Sequence, residues 1–175
     1  QKQQEEDNLL RKTALCERVE AIDLTALHTM NDWEAQSKEI VALQAEWKTV
    51  GYAPRKANQQ IFDRFRAACD LFFTAKSKFY KEVRETLAAN LAKKTALCEK
   101  AEQLSESTDW AATTKALVEL QAEWKTIGAV AHKASDAIWK RFNTACNAFF
   151  DRKKAANASG NEEEVANLAK KQDII

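Results

Sequence analysis

Apolar residues recur along this chain at steps of three and four, the spacing that gathers them on one face of an α-helix. The clearest run is Trp110, Leu117, Leu120, Trp124 and Ile127. It starts just after Asp109, a residue type that accepts hydrogen bonds from the free amides of a helix start, and it stops just before Gly128. Asp32 precedes Trp33 in the same way, and Gly51 follows Val50. Each stretch is therefore expected to be one helix, capped by its aspartate and closed by a glycine in the left-handed conformation. A second stripe comprises Ile61, Phe65, Ala68, Phe72 and Phe79, and Cys69 and Phe73 widen it beyond a coiled-coil seam. Its expected N-cap is Asn58, matched further along by Ser135. A third set, Leu9, Cys16 and Val19, returns as Leu91, Cys98 and Ala101.

These patterns repeat. "LQAEWKTVG" at Leu43–Gly51 returns as "LQAEWKTIG" at Leu120–Gly128, an offset of 77. The same offset carries Trp33 onto Trp110, Ile61 onto Ile138, Phe65 onto Phe142, and Cys69 onto Cys146. "KTALCE" at Lys12–Glu17 recurs at Lys94–Glu99 with an offset of 82, so the first copy holds five extra residues between its cysteine and its tryptophan. A surface loop tolerates such an insertion and a packed helix does not, which places a loop near "LTALHTMND". "NLAKKQDII" at Asn167–Ile175 echoes "NLAKKTALC" at Asn90–Cys98, and the only methionine is Met30. The expectation is a slice of a longer array: a first repeat over 1–84, a second over 85–160, and the start of a third over 161–175.

Composition sharpens the architecture. Only 3 Gly and 1 Pro occur in 175 residues, so long helices with few connections are expected. Neither residue occurs between Pro54 and Gly128, and no turn cluster precedes "SESTD" at Ser105–Asp109. One helix is thus predicted from Asn58 to about Gln103, roughly 70 Å long at 1.5 Å per residue. The fold class follows: all-α, with tandem three-helix-bundle repeats of about 77 residues joined by a long shared helix into a spectrin-like rod. The junction at Ser159-Gly160 should be interrupted.

The sequence "LQAEWKTIG", a short loop, then "AIWKRFNTACNAFF" resembles the bacterial Domain of Unknown Function 349 repeat. The likeness covers two copies and the start of a third. It implies tandem helical repeats in cytoplasmic bacterial proteins and supplies no activity or catalytic residues. Where that loop often has a proline, the first copy has Pro54 and the second has Ala131.

Candidate chemistry is sparse. Neither a Gly-rich phosphate loop, a nucleophile elbow nor an H-E-x-x-H motif occurs, and His28 and His132 fall at non-equivalent places. Neither catalysis nor a cofactor or metal site is expected. Cys16, Cys69, Cys98 and Cys146 lie in apolar stripes without metal-ligand spacing and read as small buried core residues, which suits a reducing cytoplasm. Trp47, Trp124 and Trp139 read as core as well. No apolar run reaches the roughly 18 residues of a membrane span.

Charge is more informative in its distribution than in its total of +1. Between Lys48 and Lys81, eight basic residues face two acidic ones, and between Lys125 and Lys154 seven face two. From Thr13 to Glu46 the balance reverses, with two basic and seven acidic residues. Lys48, Lys56 and Arg64 recur as Lys125, Lys133 and Arg141, which makes these six the candidate partner-binding residues. Two readings follow from this pattern. The preferred one is a non-enzymatic interaction or scaffold protein whose partner is a macromolecule, a protein ahead of nucleic acid. The alternative is a nucleic-acid- or ribosome-associated protein that contacts phosphates through a repeated basic stripe.

Overall fold

The computed structural model describes the backbone of residues 1–174 and the side chains of residues 1–160. It is all-α, without a strand among the described residues. Five helices follow in order: α1 (Lys2–Glu20), α2 (Met30–Thr49), α3 (Arg55–Leu104), α4 (Trp110–Thr126) and α5 (His132–Ile174). A short 3-10 turn, Leu24–Ala26, lies between α1 and α2, where the five-residue insertion falls. The chain divides into two compact units, Gln1–Val83 and Arg84–Ile175. Helix α3 contributes to both units and runs unbroken for 50 residues, as its lack of Gly and Pro predicts.

Each unit has its own core, built from equivalent residues. In the first, Leu15, Cys16 and Val19 of α1 meet Trp33, Ile40 and Leu43 of α2 and Ile61, Phe65, Cys69 and Phe72 of α3. In the second, Leu97, Cys98 and Ala101 of α3 meet Leu117, Leu120 and Trp124 of α4 and Ile138, Phe142, Cys146 and Phe149 of α5. All four cysteines are buried and free. Burial pushes the Cys16 thiol up to about 11, which keeps it a protonated core residue. The Cys16 and Cys98 thiols point at equivalent backbone carbonyls, those of Ile61 and Ile138.

The structure moves several helix boundaries. Helix α2 starts at Met30, because Thr29 rather than Asp32 is its N-cap. Asp32 completes a reciprocal capping box by accepting from the Thr29 amide at 3.0 Å. The fourth helix does use Asp109, which accepts from the Ala112 amide. Asn58 and Ser135 are not caps. Pro54 sits just before α3, and its carbonyl accepts from the Ala57 and Asn58 amides at 2.8 and 2.9 Å. The Asn58 side chain turns back instead and accepts from the Ala53 amide. Helix α5 likewise starts earlier than expected, at His132.

The glycines also have a different reason from the expected one. No glycine among the described residues has positive φ. A Cβ on Gly51 would lie 2.9 Å from Asn8 Nδ2, and one on Gly128 would lie 3.0 Å from Asn90 Nδ2. Those amides donate to the carbonyls of Tyr52 and Ala129, so the glycines make room for an asparagine tie between helix and loop. The expected interruption at Ser159-Gly160 is absent, because α5 continues through it. A single helical glycine costs only about 1 kcal/mol relative to alanine, too little to end a long helix.

Candidate interaction surface

The six basic candidates fall into two groups. Arg64 Nε and Nη2 donate to the two carboxylate oxygens of Glu20 at 2.9 and 2.7 Å. Arg141 makes the same fork to Glu102 at 3.0 and 2.8 Å. Both arginines therefore fasten one helix of their own unit to another, and their charge is largely spent on that pairing. The hydrogen bond from Arg64 holds Glu20 below the ordinary carboxylate range, and Arg141 does the same to Glu102. Lys48, Lys56, Lys125 and Lys133 are exposed, and no ion pair joins them to another described residue.

Lys48 borders a groove of about 420 Å³ between α2 and α3. Trp47, Phe65 and Cys69 form its floor, while Gln44 and Lys48 line one wall and Phe62, Arg66 and Asp70 the other. Val41 lies three residues before Gln44 and seven before Lys48, so helical periodicity puts it on the same face of α2. It is 54% exposed, and its equivalent Val118 is 52% exposed. Phe62 is 41% exposed, and Trp139, in the equivalent place on α5, is 48% exposed. The expectation that Trp139 is core is therefore wrong. Residue 139 directly follows the buried Ile138 in the helix, and a step of 100° carries its ring to the edge of the core. Only part of the ring is covered, by Trp124 with centroids 5.8 Å apart.

Trp47 and Trp124 themselves pack inward. Trp47 stacks on Phe65 at 4.3 Å and 10°, and Trp124 on Phe142 at 4.4 Å and 15°. An ammonium completes each group: Lys12 lies 5.0 Å from the Trp47 ring, and Lys94 lies 4.8 Å from Trp124. Lys12 is buried, and desolvation lowers its pKa. Sequence reasoning missed this repeated Lys–Trp–Phe group. The signal was present in the recurring "KTALCE", whose lysine reads as solvated until the fold brings it over a ring.

The described residues contain no group of three or more His, Cys, Asp or Glu side chains able to hold a metal ion. Comparison with known families gives a direct result: the model for the Domain of Unknown Function (DUF349) matches residues 1–56, 60–133 and 137–175. The chain belongs to this family. No curated protein and no solved structure matches it. Within the Domain of Unknown Function 349 family, the matched segments are out of phase with the compact units. The segment 60–133 begins inside α3 and ends at the start of α5, whereas each core gathers residues from two adjoining segments. No helix among the described residues is long and apolar enough to cross a membrane.

Proposed function

We propose that this chain is a non-enzymatic interaction or scaffold protein of the bacterial cytoplasm. Its repeats are read as three-helix bundles sharing connecting helices in a spectrin-like rod. One observation carries the functional reading: large apolar side chains are exposed at equivalent positions of both units, Val41 with Val118 and Phe62 with Trp139. Departures from burial at two pairs of equivalent positions favour a surface for partners. The buried thiols support a reducing compartment.

The basic-stripe alternative is weakened, because Arg64 and Arg141 are held by Glu20 and Glu102. Its remaining support is the recurrence of exposed Lys48, Lys56, Lys125 and Lys133. Affinity capture with the full chain from bacterial extract, with and without nuclease, separates the two. An interaction protein retains the same protein partners after nuclease treatment. A phosphate-binding stripe instead loses them, and its affinity for RNA or DNA falls steeply with salt. Changing the four lysines to Gln would then flatten that salt slope, a result that would sink the scaffold reading.

A further inference from the structure

We infer that the α2–α3 groove, and the equivalent positions on α4 and α5, dock an acidic amphipathic helix of a partner protein; this rests on the interaction reading above. Shape comes first. A trough between two packed helices accepts the side-chain ridge of a third helix, and large apolar side chains at i, i+3 or i+4, and i+7 fill it. Phe62 lines one edge of the groove, 41% exposed with its ring 6.4 Å from that of Trp47, and the exposed Val41 lies on the same face of α2 as Gln44 and Lys48. The floor contains the buried Cys69, whose equivalent in the second unit is the buried Cys146.

Charge selects the occupant. Arg66 and Asp70, opposite in sign and 3.8 Å apart, largely cancel. Their equivalents are Asn143 and Asn147, which carry no charge. The charge left over in both units is therefore the rim lysine, Lys48 or Lys125, at the C-terminal end of its helix. A partner helix bearing Asp or Glu beside its apolar ridge complements that arrangement. Nucleic acid fits less well. The Trp47 ring is already stacked on Phe65 and has the Lys12 ammonium over it, which leaves it no open face for a base.

The test is selection from a displayed library of helical peptides with randomised surface positions, using the full chain as bait. The proposal expects enriched sequences with apolar residues at helical spacing and an excess of Asp and Glu. Val41→Asp with Val118→Asp should weaken the selected peptides by about tenfold or more. Because both valines are exposed, the circular dichroism melt should be unchanged. Lys48→Glu with Lys125→Glu should shift selection toward Lys- and Arg-bearing peptides.

Four outcomes overturn it: no enrichment, enrichment without acidic bias, binding that survives the valine changes, or self-association lost on those same changes. Single-stranded oligonucleotide binding lost on Trp139→Ala would also overturn it and assign the exposed ring to base stacking. Nuclease-resistant partners that still bind the valine variant would defeat the groove assignment alone and leave the scaffold reading standing.

Discussion

The two compact units have equivalent cores and differ in how the end of each is covered. Trp33 is buried in the first unit between Phe72 and Phe79, with ring centroids 5.5 and 5.4 Å away. In the second unit Ala156 stands where Phe79 would be, and Trp110 is only partly buried. Arg152 replaces the missing ring, with its guanidinium 5.4 Å from the Trp110 ring. It also donates to the carbonyls of Ser105 and Ser107, just beyond the end of α3. The first unit places another latch nearby, where Glu34 accepts from the Tyr80 hydroxyl and pairs with Lys76 at 3.1 Å. Its equivalents are Ala111 and Asn157, so Lys153 is left with Thr114 as partner. The centre of each core therefore tolerates little change, while the end beside the variable connector is closed by whatever covers an indole.

The sharpest way to break this comparison is in the shared centre. Phe72→Ala and Phe149→Ala should each destabilise their unit by about 3–5 kcal/mol in denaturant melts, because both rings are buried. A large inequality between them would show that the cores are not equivalent. Thr86→Pro comes next, at about 3 kcal/mol, since it removes an intrahelical hydrogen bond from the unbroken α3. A negligible loss would mean that the helix need not be continuous between the units.

Gly51→Ala and Gly128→Ala should each cost about 1 kcal/mol by displacing the asparagine that ties helix to loop. The first change should add little when Asn8 is already Ala, because both act on one contact. Full additivity would remove the space-making role of Gly51.

The smallest effects concern acid. Glu20 and Glu102 are held below the ordinary glutamate value of 4.5 by hydrogen bonds from Arg64 and Arg141. Glu34 is held down by the Tyr80 hydroxyl first and then by Lys76. A lowered folded-state pKa gives a contribution complete above the unfolded value and lost as pH falls through the folded one. Acid should therefore loosen both units, and the first more, since its Glu34 latch has no counterpart. Amide hydrogen exchange of each unit, followed downward from neutral pH, checks the order. Earlier loosening of the second unit would contradict it.

Much of this was legible in the sequence, since the stripe of Ile61, Phe65 and Phe72 and the absence of Gly and Pro across α3 follow from local chemistry and helical periodicity. The buried thiols were legible for the same reason. The connector between α1 and α2 was placed by the five-residue offset, though not the Thr29 cap, because Thr29 and Asp32 are both good caps and a reciprocal box uses both. Other features depend on residues distant in the chain. The roles of Gly51 and Gly128 require Asn8 and Asn90 to arrive beside them, and Arg64 loses its free charge only when Glu20 faces it across two helices. Trp139 reads as core in the sequence because it carries a large apolar ring next to the stripe residue Ile138. The 100° step from Ile138 puts that ring at the edge of the stripe. How much of it stays open was decided by tertiary structure, because periodicity gives a residue's angle around its helix and not how far neighbouring helices reach to cover it.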